Sequence, residues 1–208
     1  LADAAISLTK DLALVGKRIV VFVRKPDDAT KIADAIRKQQ SGMAKPGPYT
    51  DSVEVLTGTM RGLERDELLK TPVLKRFLDG NEDPQLELNK QPVFLISTSA
   101  GEVGFDLNAD HLVGDAAPLD SWIQRLGRVN RRGKGDATVV LIKQKEPSEK
   151  SDFDKACSAA TKLLTDGMNV SPHALAAFQK SLTPEQLKAV TTPEPKMVEL
   201  TDILLDAW

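Results

Sequence analysis

Apolar runs alternate with amphipathic segments over the first 142 residues of the chain. Five of the runs are short and bounded by polar or turn-forming residues, which is typical of buried strands. They cover residues 18–23, 52–58, 92–98, 111–115 and 137–142. Helical periodicity marks residues 1–14, 25–39 and 62–69, and a further helix starts at Asp120. Strands that alternate with helices predict an α/β fold with a mainly parallel sheet.

The helix that starts near Asp120 combines an apolar stripe with arginines. The stripe has the spacing of one helical face and consists of Leu119, Trp122, Ile123 and Leu126. Arg125 and Arg128 are three residues apart, as are Arg128 and Arg131. This spacing predicts that the arginines share a face opposite the apolar stripe.

The composition changes after Ile142. The charged segment KQKEPSEKSD, residues 143–152, has the character of a linker. Helical patterns follow at residues 153–164, 172–181 and 184–190, with a last one in VELTDILLDAW, residues 198–208. We predict an α/β domain at residues 1–145. Residues 146–208 are predicted to be a linker and a small helical C-terminal extension with no chemistry of its own.

The distribution of charge places any contact with nucleic acid in a local groove. The chain has 28 Lys and Arg against 30 Asp and Glu, a net charge of −2, so no general attraction to polyanions is expected. The arginine segment, QRLGRVNRRG at residues 124–133, nevertheless carries four arginines within eight residues. Two guanidinium groups three residues apart can grip one polyphosphate. The alternative is a solvated basic face.

Cysteine and histidine content excludes several classes of protein. One cysteine, Cys157, rules out an internal disulfide and favours a reducing, cytoplasmic compartment. Two histidines and one cysteine cannot form the usual zinc sites. No apolar run approaches the roughly 20 residues of a membrane span, so no membrane contact is expected. The start lacks both a basic signal region and an initiator Met, so we expect the chain to begin inside a longer protein.

Three segments with unusual residues follow predicted strands or the arginine helix: LTGTMRGLER, STSAGEVGFD and the arginine segment. In a parallel sheet they emerge at the same edge. Donors of hydrogen bonds to phosphates are available there from Thr57, Gly58, Ser97 and Thr98. Gly104 permits a close approach of the backbone. Asp106 has two interpretations, because it can bond a ribose hydroxyl or hold an arginine.

These segments resemble conserved motifs of superfamily 2 helicases. STSAGEVGFD resembles motif V, the arginine segment resembles motif VI, and VVFVRKPDDATKIADAI resembles the motif IV strand and helix. The resemblance covers residues 18–142 and implies the second RecA-like domain of such a motor, a three-layer α/β domain. The form GRVNR, within residues 127–131, is most similar to the CRISPR-associated helicases of type I interference systems.

The resemblance implies roles for individual residues. Arg128 and Arg131 match the catalytic arginines that reach the γ-phosphate of ATP. Four further positions match the nucleotide side of the cleft between domains: Gln124, Gly104, Asp106 and Arg125. Of these, Arg125 matches an arginine that is more often tied to interdomain or internal pairing. Thr98, Thr57 and Gly58 match positions that contact the nucleic-acid backbone, and Ser97 precedes Thr98. Glu102 is expected to couple motif V to the catalytic side.

Half of the usual ATP site is missing from the sequence. No GxxxxGK[ST] phosphate loop, no DExD/H stretch and no HD nuclease cluster is present. The resemblance therefore implies that ATP with Mg²⁺ is bound mainly by an upstream RecA-like domain of the same protein. Single-stranded DNA and a CRISPR RNA-guided targeting complex are the further implied partners, in a prokaryotic cytoplasm. The isolated chain is expected to be inactive.

Two alternatives stay open. The chain can belong to an RNA helicase or to a DNA-repair translocase, which strand preference would distinguish. It can also be a non-catalytic docking module that keeps the fold and uses its arginines on a phosphate backbone. That module would bind nucleic acid with a steep salt dependence but without ATP.

Overall fold

A computed structural model of the protein describes residues 1–10, 16–41, 52–78, 91–133, 135–143 and 149–195. Five strands form one sheet in the order β2-β3-β1-β4-β5. Their bounds are β1 Arg18–Phe22, β2 Val53–Leu56, β3 Val93–Ser97, β4 His111–Asp115 and β5 Val139–Ile142. The pairings of β1 with β3 and β4, of β2 with β3, and of β4 with β5 are all parallel. The predicted α/β fold with a parallel sheet is confirmed.

Eight α-helices are present in the described part of the chain. Their bounds are α1 Ala2–Lys10, α2 Pro26–Ser41, α3 Gly62–Lys70, α4 Pro72–Phe77, α5 Leu119–Leu126, α6 Asp152–Leu163, α7 Pro172–Ser181 and α8 Pro184–Val190. The sequence analysis did not predict α4, which is too short to show periodicity. The start of α4 could have been predicted from Thr71 and Pro72. Thr71 caps the helix by accepting the N–H of Leu74, and Pro72 lies in the first turn.

The sheet lies between two helical layers. Side chains alternate along a strand, so Ile19 and Val21 of β1 join one apolar cluster, whereas Val20 and Phe22 join the other. The first cluster also contains Ala5 of α1 and the α2 residues Ala29, Ala33 and Ile36. The second cluster receives buried side chains from α3, α4 and α5, including Leu68, Phe77 and Trp122. Burial on both faces explains why the strands read as continuous apolar runs.

The C-terminal helices pack on the second cluster. Ala160 of α6, Leu164 after it and Val190 of α8 are buried in the same cluster as Trp122. The N–H of Thr192 donates to Asp120 Oδ1 at 2.9 Å, which ties the segment after α8 to the start of α5. The expected domain boundary at residue 145, residues 11–14 of the first predicted helix and the last predicted helix at 198–208 lie outside the described residues. Within the described ranges, no helix is both long and apolar enough to cross a bilayer.

An ion pair between Arg18 and Asp110 lies at the edge of the sheet where β1 and β4 begin. Arg18 donates to Asp110 through its backbone N–H and Nε, at 2.8 and 3.2 Å to Oδ2, and through Nη2, at 2.9 Å to Oδ1. Burial alone would raise the pKa of Asp110, but the hydrogen bonds and charge of Arg18 outweigh burial and lower that pKa below its ordinary value. Asp110 therefore favours the folded state most strongly when it is ionised.

This lowered pKa predicts a pH-dependent effect of Asp110→Asn. A carboxylate with a lowered pKa contributes stability above the pKa of the unfolded chain, about 4, and loses it as the pH falls through the folded value. We expect Asp110→Asn to lower the free energy of unfolding by roughly 1–3 kcal/mol at pH 7. The difference in free energy of unfolding between wild type and variant should become smaller in acid. Thermal unfolding of both proteins at pH 7 and pH 3 measures this difference, and a difference of equal size at the two pH values would contradict the prediction.

Candidate functional site

The segments that follow β2 and β3 leave the carboxyl edge of the sheet, and the arginine segment, at the end of α5 and in the loop after it, contacts the second of them. The N–H of Thr98 donates to Leu56 O at 3.1 Å, which joins the ends of β3 and β2. Asp106 forms an ion pair with Arg131. Arg65 of α3 lies over the ring of Phe105, with 4.4 Å between the guanidinium carbon and the ring centroid. The three segments therefore contact one another. The expectation that all of them emerge at the carboxyl edge is wrong for the arginine loop, because this loop leads into the start of β5 and its backbone bonds Ala109, just before β4.

The arginine segment leaves the helix earlier than its spacing predicts. Helix α5 ends at Leu126, and Gly127 caps it. Arg128 and Arg131 therefore lie in the loop that follows, and the expectation that they share a helical face with Arg125 is wrong. Two backbone hydrogen bonds fix this loop, from Ala109 N–H to Arg128 O and from Asn130 N–H to Ala109 O, both 2.8 Å long.

Arg125 is an internal residue. Its side chain is 4% exposed, its Nε donates to Glu102 Oε1 at 2.8 Å, and its Nη1 lies 3.3 Å from Asp115 Oδ1. The guanidinium carbon lies 5.5 Å from the ring of Trp122, a member of the apolar stripe. The prediction that Arg125 faces away from this stripe is therefore wrong. As a cofactor-binding residue, Arg125 would have to leave two carboxylates, so its geometry fits internal pairing instead.

Asp115 ends β4 beneath this arginine. Burial raises the pKa of Asp115 above its ordinary value, while the charge and hydrogen bonds of Arg125 oppose that increase. Gly114 precedes Asp115, and a Cβ added there would lie 2.9 Å from Trp122 Cη2. The strand thus needs glycine next to Asp115 because the indole ring occupies the space of a side chain.

Arg128 and Arg131 are held at the mouth of the site by different groups. The Nε and Nη2 atoms of Arg128 donate to the carbonyl oxygen of Glu102 at 3.1 and 2.7 Å. The N–H of Arg131 donates to Asn108 Oδ1 at 3.2 Å, and its guanidinium pairs with Asp106. Of the two interpretations of Asp106, the structure shows the carboxylate holding an arginine. Both guanidinium groups remain partly accessible. An anion at the mouth of the site could therefore draw them away from their present partners.

Gly104 and Gln124 are both exposed at the surface. Gly104 has a φ of 87°, a left-handed conformation that side chains rarely adopt, and an added Cβ would lie 3.3 Å from Arg65 Nη2. This glycine is therefore required by the backbone of the turn as well as by close packing. Gln124 is exposed on α5, one residue before the buried Arg125.

The candidate nucleic-acid residues differ in accessibility. Gly58 is exposed, and the half-buried Thr57 places its hydroxyl 2.9 Å from that of Thr59. Thr98 is 5% exposed. Ser97 is wholly buried, and its hydroxyl lies within hydrogen-bond distance of Leu56 O and Thr98 O, at 3.1 and 2.9 Å. The expectation that Ser97 contacts a nucleic-acid strand is therefore wrong, because its side chain is buried and bonds to backbone carbonyl groups.

The sequence analysis missed three residues that contact one another at the carboxyl edge of the sheet: Arg24, Asp115 and Asp154. The N–H of Arg24 donates to Asp115 Oδ2 at 2.8 Å, and its Nη1 donates to Asp154 Oδ1 at 2.6 Å. Arg24 and Asp115 stand at or just after the ends of buried strands, so the strand-end argument could have found them. Asp154 gave no signal, because nothing in its own segment predicts that α6 reaches this edge.

A family model described as CRISPR-associated nuclease/helicase Cas3, C-terminal, matches residues 15–134. The match covers more than half of the 208 residues and includes both Glu102 and the arginine segment. The chain belongs to the Cas3 C-terminal family. Its arginine segment and motif V loop are thus parts of a helicase C-terminal domain similar to Cas3.

Individual relatives agree with this family. The CRISPR-associated nuclease/helicase Cas3 of Haloferax volcanii is 28% identical over 147 residues, 68% of this chain and 15% of that protein. The ATP-dependent DNA helicase MPH1 of Coccidioides immitis is 23% identical over 188 residues, 88% of this chain and 15% of that protein. The chain thus spans about 15% of the length of these curated relatives.

The fold agrees as well. The crystal structure of T. fusca Cas3-ATP superposes with a TM-score of 0.60, at 15% identity over 77% of this chain and 19% of that one. This likeness confirms the three-layer RecA-like fold that the motifs imply.

Proposed function

We propose that this chain is the second motor domain of a longer ATP-dependent helicase or translocase of the Cas3 type, acting on single-stranded DNA. ATP with Mg²⁺ binds in the cleft between this domain and an upstream RecA-like domain. Closing and reopening of the cleft move the strand across both domains. The strand is held by its phosphates, so movement tolerates any base sequence.

The observation that carries the proposal is the position of two arginines on one loop that contacts the segment after β3. Arg128 rests on the Glu102 carbonyl and Arg131 on the Asp106 carboxylate. A γ-phosphate bears more negative charge than either present partner and accepts bidentate hydrogen bonds, so it can draw the guanidinium groups away. Both then stabilise the charge on the phosphoryl group during transfer. Gln124, Gly104 and Asp106 line the nucleotide side, and Thr57, Gly58 and Thr98 the strand side.

The Mg²⁺ ion is assigned to the upstream domain. Among the described residues, no group of three or more His, Cys, Asp or Glu side chains is placed to hold a metal ion. Asp106 is engaged by Arg131. The arginines present fit the triphosphate end of the nucleotide. Their guanidinium groups would neutralise negative charge on one side of the phosphates, and the metal ion would do so on the side of the upstream domain.

Membership in a CRISPR-associated family supports an RNA-guided targeting complex as the partner that delivers the DNA. We place the protein in the cytoplasm of a prokaryotic cell. The similarity to MPH1 extends over more residues than that to the archaeal Cas3 and supports a second candidate, a DNA helicase that works without such a complex.

The test uses the complete protein that contains this chain. We expect its ATP hydrolysis to rise on addition of single-stranded DNA, and the isolated 208-residue chain to hydrolyse no ATP. Stimulation by single-stranded RNA but not DNA would make it an RNA helicase. Salt-sensitive binding of nucleic acid without any ATP hydrolysis would contradict the motor and favour the docking module.

A further inference from the structure

A continuous series of polar contacts connects the candidate catalytic loop with the C-terminal helices. We call it the polar chain, and its members in order are Arg128, Glu102, Arg125, Asp115, Arg24 and Asp154. It begins at an arginine proposed to reach ATP and ends in the first turn of α6, which the sequence analysis considered to have no chemistry of its own.

The inner links are buried. Arg128 donates to the Glu102 carbonyl, and the carboxylate of the same residue accepts from Arg125 Nε at 2.8 Å. Glu102 and Arg125 are 5% and 4% exposed. Hydrogen bonds between charged groups are strong away from water, and they hold their partners in one geometry. The orientation of Arg128 therefore depends on where Arg125 holds Glu102.

The outer links pass through Arg24. Asp115 accepts from Arg125 with one carboxylate oxygen and from the Arg24 N–H with the other. The Arg24 side chain then reaches α6, where it pairs with Asp154 and lies 4.5 Å from the Phe153 ring centroid. The first turn of α6 is itself fixed, because the Asp154 N–H donates to Ser151 Oγ at 3.0 Å.

Cys157 of α6 lies beside the outer part of the polar chain. Arg24, Asp115 and Asp154 line one surface cavity together with Cys157. Burial raises the pKa of the Cys157 thiol to about 11.

We propose that Asp154 and Arg24 are positioning residues, through which α6 holds Arg128 in the orientation needed at the ATP cleft. The proposal rests on the proposed function for its consequence in catalysis. It assigns the C-terminal extension a task in the motor cycle: undocking of α6 would release Arg24, then Asp115 and Arg125, and finally the catalytic loop. Binding of a partner to the extension could then control hydrolysis without touching ATP.

The experiment compares Asp154→Asn with Asp152→Asn in the complete protein. Asp152 is the matched control, because it lies in the same first turn, pairs with Lys155 at 3.2 Å and stands outside the polar chain. We expect Asp154→Asn to lower kcat by about 2- to 30-fold, with KM for ATP unchanged, because coupling energies in such networks have this size. It should also speed amide hydrogen exchange of residues 124–133, whereas Asp152→Asn changes neither quantity. Adding Arg24→Gln to Asp154→Asn should cause no further loss.

Equal effects of the two asparagine variants, additive losses in the double variant, or unchanged exchange in the arginine segment would overturn the proposal. Hydrogen exchange does not require ATP hydrolysis, so failure of the positioning proposal can be distinguished from failure of the proposed function. If Arg128→Ala keeps full turnover while Asp154→Asn still speeds exchange, Asp154 does position Arg128, and the proposed function is what fails.

Discussion

Replacing Arg128 with alanine in the complete protein is expected to lower ATP hydrolysis by roughly 10³- to 10⁵-fold, the usual effect of losing an arginine that stabilises the transferring phosphoryl group. Binding of single-stranded DNA should stay close to that of the wild type, because the strand-side candidates Thr57, Gly58 and Thr98 lie on other segments. Steady-state ATPase assays and DNA titrations, both with the same purified variant, measure the two quantities.

Two further variants show whether the loss comes from chemistry. Arg128→Lys keeps the positive charge but lacks the planar fork of donors, so most of the loss should remain. Arg132→Ala removes an equal charge from an exposed neighbour in the same segment, and we expect it to change turnover little. Unfolding temperatures should be similar for all three variants, since Arg128 makes its described side-chain contacts with a single carbonyl. Normal turnover of Arg128→Ala would contradict the assignment.

The sheet could be predicted from the sequence because both of its faces are covered. A strand buried on two sides is apolar on both faces, and the uninterrupted apolar residues 19–23 and 93–96 show this. Strand ends were less certain, since pairing ends where a partner ends: the run at 52–58 forms a strand only at Val53–Leu56, opposite β3. The parallel arrangement then placed the segments after β2 and β3 at one edge, whereas the arginine loop joins α5 to the start of β5 and therefore lies at the other.

The candidate site could be predicted as a set of segments but not as a set of contacts. Helical spacing placed Arg125 on the face opposite the apolar stripe, whereas Glu102 and Asp115, distant in sequence, pair with it below the surface. Ser97 was misplaced for a related reason. The side chain of the last strand residue can be buried or exposed. Only the close packing of Gly101 against Ser97 Oγ shows that this side chain is buried.

Arg125→Ala is expected to cause the largest loss of stability among single substitutions at this site. The variant leaves Glu102 buried without its positive partner, and breaking a buried ion pair from one side costs about 3–5 kcal/mol. For a chain of this length, that cost lowers the unfolding temperature by roughly 6–20 °C. Thermal unfolding of wild type and variant measures it. Gln124→Ala, one residue earlier and exposed, is the control and should stay within about 0.5 kcal/mol of the wild type.

A second substitution tests whether this loss of stability comes from the unpaired Glu102 carboxylate. If the penalty comes from the uncompensated Glu102 carboxylate, adding Glu102→Leu to Arg125→Leu should recover part of the stability, because an apolar pair carries no desolvation penalty. Asp115 tolerates the loss of Arg125 better, since it is 21% exposed and still accepts the Arg24 N–H. If the double variant is instead less stable than Arg125→Leu by the full cost of Glu102→Leu alone, the two residues act independently. The buried pair would then not be the link that joins Asp115 to the Arg128 loop.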